Sequence, residues 1–140
     1  MLKNNGFTLV EICVVIAIIG IISAIAIPSL LTWREDAKLR DAAFNLRSDL
    51  ELAKMRAIRE NASVPLTFTA TSYTFNFAGT ASRTRQLPAG VVIDLSHNPP
   101  PPSQFGGRGI PDTSGDIKID ASNGDSIIIS MSRIGRIVSN

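Results

Sequence analysis

Glu11 is the residue whose type conflicts most with its setting. It lies five residues into FTLVEICVVIAIIGIISAIAIP, the 22-residue run from Phe7 to Pro28, where the only other ionisable side chain is the thiol of Cys13. Isolated in lipid, such a carboxylate would cost several kcal/mol, so a charge placed there demands a partner. Other candidate groups offer less. His97 is the single histidine and adjoins a proline-rich stretch, which suits a surface loop better than a general base. Asp112, Asp116, Asp120 and Asp125 could supply the oxygen ligands calcium prefers, but their spacing follows no calcium loop and reads as turn-forming or solvated aspartate. Cys13 has no second cysteine, which excludes an intramolecular disulfide and a cysteine-built zinc site and leaves a small buried hydrophobe. No G-x-S-x-G, Walker-type loop or H-E-x-x-H appears. Catalysis, cofactor, metal and small-molecule substrate are therefore not expected.

The run that carries Glu11 is as long as a bilayer is thick, since 22 residues of helix span roughly 30 Å. It is longer than a signal-peptide core and no A-x-A-like site follows it, so the segment stays in the mature chain. Only MLKNNG, short, polar and with one lysine, precedes it. Beyond Pro28 the pattern turns amphipathic, with Leu39, Ala43, Leu46, Leu50, Ala53 and Ala57 forming one buried stripe. Arg34, Asp36, Arg40, Arg47, Glu51, Lys54, Arg56 and Glu60 fall mostly off it, with Asp36 and Arg40 spaced as an exposed pair. Pro28 predicts a kink near 24–28 within a continuing helix, and Asn61 its end.

From Val64 onward the signals are strand-like. Tyr73, Phe75 and Phe77 alternate with polar residues, Val91 to Leu95 is a short apolar run, and Ile117 and Ile119 flank Lys118. Ser126 to Met131 and Ile134 to Val138 read as a hairpin, with Ser132 and Arg133 as its tight turn. Between the Val91–Leu95 run and Ile117, NPPPPSQFGGRGIPDTSG, Asn98 to Gly115, has no periodicity and reads as a structureless loop opened by a stiff polyproline spacer. The class is α+β: a long helix, membrane-spanning over 7–28 and amphipathic over 29–60, packed against an antiparallel β-sheet head over 61–140.

Net charge is +2, and +1 without the first six residues, so a basic pI argues only weakly for nucleic acid. Basic residues flank the span on both sides, Lys3 against Arg34, Lys38 and Arg40, which leaves its orientation open.

Gly6-Phe7-Thr8-Leu9-Val10-Glu11 resembles the processing site of type IV prepilins and pseudopilins, and Pro28 stands where those families commonly carry a proline. The resemblance implies a leader over 1–6, cleavage by a prepilin peptidase after Gly6, and methylation of the new amine of Phe7. That amine would pair with Glu11 of a neighbouring subunit, making Glu11 a selector of register, although Phe7 and Glu11 of one helix also stand four residues apart. It further implies a cytoplasmic leader, an external head, an inner-membrane anchor and assembly platform, and other pilin subunits as partners. NLRSDLELAKMRAIRENASVP from Asn45 to Pro65, FGGRGIP from Phe105 to Pro111, IKID and the closing IIISMSRIGRI look like the GspH/FimT group of minor pilins and pseudopilins. That group implies a subunit in few copies near the tip of a type IV pilus or type II secretion pseudopilus. A major pilin is the alternative, disfavoured because the head lacks the two cysteines many of them carry. DNA-uptake members of the group bear a glycine-arginine motif with a second arginine; Gly135-Arg136 is followed here by Ile137 and Val138. Solvated turn arginines are thus the plainer reading of Arg108, Arg133 and Arg136, and phosphate or partner contact the alternative.

Overall fold

A computed structural model describes residues 8–140 apart from 78 and 80, with backbone alone at Pro28. Helix α1, Leu9–Glu60, runs unbroken through Pro28. Thr8 starts it: the Thr8 hydroxyl accepts the Glu11 N–H at 3.2 Å and its carbonyl accepts the Ile12 N–H at 3.3 Å. Asn61 ends it in the left-handed region at φ 45°, where the Asn61 N–H reaches the Ile58 carbonyl and the Ala62 N–H the Ala57 carbonyl. These two bonds are the pair that closes a Schellman cap.

The chain divides after Arg34 into two units, each with its own character. In the first, α1 is apolar on every side, and its side chains from Leu9 to Leu31 are almost all exposed. Its apolar window has mean hydropathy 2.9 with none of it buried, so by length and composition it can cross a membrane. Cys13, expected to be buried, is exposed on this helix among the described residues.

The second unit, Glu35–Asn140, holds the core. Strands β1 (Val64–Phe68), β2 (Ser72–Phe75), β3 (Arg83–Gln86) and β5 (Gln104–Phe105) make an antiparallel sheet in the order β3-β2-β1-β5. Strands β4 (Val91–Asp94), β6 (Gly115–Ala121), β7 (Ser126–Met131) and β8 (Ile137–Ser139) make a second, ordered β4-β6-β7-β8. Alternation along β6 turns Ile117 and Ile119 inward and Asp116, Lys118 and Asp120 outward. The inward residues, with Tyr73, Phe75, Phe105, Ile129 and Met131, cover all six apolar positions of the helix stripe. Burying each large side chain contributes about 1.5–3 kcal/mol, the main term holding the helix to the sheets.

Two expectations are corrected. The stretch from Asn98 to Gly115 is ordered: Phe105 pairs with Val64 and is fully buried, and Pro102 is buried too. The prolines pack on β6 instead of forming a spacer, since a Cβ on Gly115 would collide with the Pro100 carbonyl. Asp112 closes the stretch by accepting N–H groups of Ser103 and Thr113, both at 3.0 Å. The second correction concerns the last hairpin. Its turn is Ser132–Arg136, not Ser132-Arg133, because Gly135 can take φ +78°. The Gly135 N–H then reaches the Ser132 carbonyl, and the Ser132 N–H the Arg136 carbonyl. Ile134, expected in a strand, is left 80% exposed at the turn.

Candidate functional site

Among the candidate residues at the N-terminus, Gly6 and Phe7 lie outside the described residues. Glu11 sits in the first turn of α1, third after the capping Thr8. Thr8-Leu9-Val10-Glu11 is thus a capping-box sequence, in which the acid also faces the positive end of the helix dipole. Periodicity did not reveal this role, although Thr followed three residues later by Glu is its sequence signature. From Thr8 to Trp33 Glu11 is the only charged side chain.

Within the head, α1 shows a second, outward stripe that the amphipathic pattern did not announce. Phe44 is 74% exposed and Met55 59%, with Ser48 and half-buried Leu52 between them. Shallow grooves lie on either side of Phe44, one bounded by Arg40, Ile127 and Ser139, the other by Ser48 and Glu51. Asp36, expected opposite Arg40, instead accepts the Asn123 amide at 2.7 Å.

The arginines form a third feature. Gly109 rests on the last turns of α1, where a Cβ would come within 2.6 Å of Ile58, and a Cβ on Gly135 would come within 2.6 Å of the Gly109 carbonyl. The Lys54 ammonium donates to the Gly135 carbonyl at 2.6 Å. The loops bearing Arg108 and Arg133–Arg136 are thereby stacked at the C-terminal end of α1, and all three arginine side chains are exposed.

Sequence reasoning missed a buried carboxylate. Asp49 is 5% exposed, and its two oxygens take the Arg83 guanidinium at 3.2 Å and Arg85 Nε at 2.7 Å, while the Tyr73 hydroxyl donates to it at 2.9 Å. The β2–β3 register, Tyr73 opposite Arg85 and Phe75 opposite Arg83, delivers these groups together. Burial pushes the Tyr73 hydroxyl far up, and the Asp49 charge and hydrogen bond add to this against the opposing arginines. The four aspartates of the C-terminal half do not converge: Asp112 serves the loop, Asp116 stands 3.9 Å from His97, Asp120 pairs with Lys118, and Asp125 accepts from Asn123. Burial alone would raise the Asp112 carboxyl, but its hydrogen bonds from Ser103, Gln104 and Thr113 outweigh this and hold it below its usual value.

Residues 1–27 match the prokaryotic N-terminal methylation motif, and residues 42–135 match the model of the Type II transport protein GspH. The chain is similar to the Type IV major pilin protein PilA of Myxococcus xanthus, 46% identical over 46 residues, which is 33% of this chain and 21% of that protein. It is also similar to the Type IV wide pilus major component PilA4 of Thermus thermophilus, 33% identical over 96 residues, covering 68% of this chain and 66% of that one. The matches thus span about a fifth and just under two thirds of these relatives. Among solved structures, the type IV minor pilin FimU of Pseudomonas aeruginosa aligns with a TM-score of 0.60 at 16% identity, over 77% of this chain and 92% of that one. The minor pseudopilin EpsH from the Type 2 Secretion System of Vibrio cholerae aligns with a TM-score of 0.58 at 14% identity, over 74% and 96%. At such identities these alignments establish the shared fold alone, one long N-terminal helix against an antiparallel β head. With the methylation motif in front and the GspH match over residues 42–135, about two thirds of its length, the chain belongs to the GspH family of type IV pilin-like proteins.

Proposed function

We propose that this chain is a minor pseudopilin or minor pilin, a non-catalytic subunit of a type II secretion pseudopilus or type IV pilus. A prepilin peptidase cuts it after Gly6 and methylates the amine of Phe7. Residues 7–28, kinked at Pro28, hold it in the inner membrane with the head outside, and an assembly platform draws it into the filament, where few copies sit near the tip.

Glu11 carries this reading. The dipole at the first helical turn favours its charge by about 0.3–1 kcal/mol, less than the several kcal/mol that isolation in lipid costs. Capping therefore leaves most of the penalty unmet, and the methylated amine of a neighbouring Phe7 supplies the rest. The outward stripe of α1 supports the same reading, since Phe44, Ser48 and Leu52 at four-residue steps make a ridge with a notch into which a neighbour's helix packs.

Two variants separate the roles of Glu11. Glu11→Gln keeps a side chain able to complete the capping box and loses the charge, whereas Glu11→Ala loses both. Expressed in the native host, both variants are expected in the membrane with folded heads and absent from sheared filaments. Filaments containing Glu11→Gln at the wild-type level would show that capping, not ion pairing, is the function.

A further inference from the structure

The stacked loops at the C-terminal end of α1 present charge that the chain itself does not answer. Among the described residues no salt bridge engages Arg108, Arg133 or Arg136. Gly109 and Gly135 press the two backbones together, which sets exposed Arg108 and Arg136 on either side of one backbone contact. Ile134 stands 80% exposed between Arg133 and Gly135, and Ile110 on the adjoining loop is 43% exposed.

The outer face of the second sheet is complementary. It carries Asp94 and Asp120 around the ammonium of Lys118, 3.5 Å and 3.0 Å away, and Asp116, which stands 3.9 Å from the imidazole of His97. Beside these acids Val92 is 42% exposed and Leu95 50%. Three carboxylates against one lysine leave this face net negative, and it too has apolar surface.

We propose that the Arg108–Arg133–Arg136 surface of one copy docks on the Asp94–Asp116–Asp120 sheet face of a second copy, with Ile134 as the apolar anchor against Val92 and Leu95. Arginine around an apolar centre is the composition that protein interfaces favour, and opposite charge selects the register. Duplex DNA would use the guanidiniums but gives an isoleucine at the turn tip nothing to bury, since its affinity is carried by phosphates. The two patches differ, so the contact is head-to-tail and leaves both ends open, the kind of contact that propagates along a filament. The proposal rests on the filament reading and refines it: the few copies stand side by side in a short run instead of being scattered.

The test uses the full chain in detergent, where crosslinking of the heads is read independently of Glu11. In a Cys13→Ser background, one preparation carries Ile134→Cys and the other Leu95→Cys, distinguished by tags, and the mixture is treated with a short bismaleimide. A mixed dimer is expected, falling at least about tenfold with Arg108→Glu, Arg133→Glu and Arg136→Glu in the first preparation. Asp94→Lys and Asp120→Lys in the second should restore it, and unchanged thermal midpoints would show that the variants fold. Absence of the mixed dimer, or a dimer indifferent to charge reversal, overturns the proposal. So does arginine-dependent binding of duplex DNA without the crosslink, which would assign the surface to nucleic acid. Any of these results leaves the Glu11 experiment standing, and loss of the Glu11 reading leaves the crosslink measurable.

Discussion

Asp49 joins three elements through single atoms, and its consequences are readable in one spectrum. Tyr73 is the only tyrosine, so tyrosinate absorbance reports this site alone. Its folded value is raised above the ordinary 10.0, first by burial and then by Asp49, so the site stabilises the fold fully at lower pH. That contribution is lost as pH rises through and beyond the ordinary value. Alkaline titration of the folded protein should show no tyrosinate where the urea-unfolded chain ionises; ionisation near pH 10 with the fold intact would contradict the buried bond. Asp49→Asn should bring the titration down and cost about 2 kcal/mol, below the figure for a fully buried pair because both arginines are partly solvated. Nothing local marks Asp49 as special, since Tyr73 and Arg85 lie 24 and 36 residues away, and they and Arg83 meet it only through the β2–β3 register.

Among the elements, the glycine-rich loop shows how a motif can be legible while its meaning is not. FGGRGIP stands out as composition, and such a stretch reads as free chain. In the fold Gly107 and Gly109 are contact residues, against Asn61 and Ile58, and Gly109 in turn meets Gly135 of the last turn. Gly135→Ala adds a Cβ at φ +78° that meets the Gly109 carbonyl at 2.6 Å, whereas Gly124→Ala, at φ +92°, meets nothing within 4 Å. Both substitutions suffer backbone strain and only the first also forces loops apart. Denaturant unfolding should therefore show a loss of about 1 kcal/mol for Gly124→Ala and about 2–3 kcal/mol for Gly135→Ala. Equal losses would mean that the stacked loops yield freely. The Ser132–Arg136 turn departs from the local pattern for a related reason: β-branched runs on both sides favour the tightest hairpin, and Gly135 overrides them by supplying a positive φ three residues later.

For the whole molecule, the division at Arg34 sets what can exist in water. Among the described residues, the twenty-one buried hydrophobic residues of the core lie between Leu39 and Ile137, none of them in the first unit. A chain starting at Glu35 should therefore fold cooperatively and stay soluble, while the complete chain requires detergent or membrane. Calorimetry and sedimentation of the shortened protein check this. Its aggregation, or a midpoint many degrees below that of the full chain in detergent, would show that the apolar helix also stabilises the head.

Local pattern by itself determined the apolar stalk with its single acid, the buried stripe from Leu39 to Ala57, and the α+β class, because helical and strand periods are properties of neighbouring residues. The resemblance of the first 28 residues to prepilins likewise needed no coordinates. Only the tertiary structure decided that Asp49 is enclosed, that the proline and glycine stretch is ordered, and that Arg108 and Arg136 flank touching backbones. Each of these depends on contact between residues distant in sequence, where the outcome follows from sheet register and from space that a missing Cβ leaves open, and neither is written in the spacing of residue types.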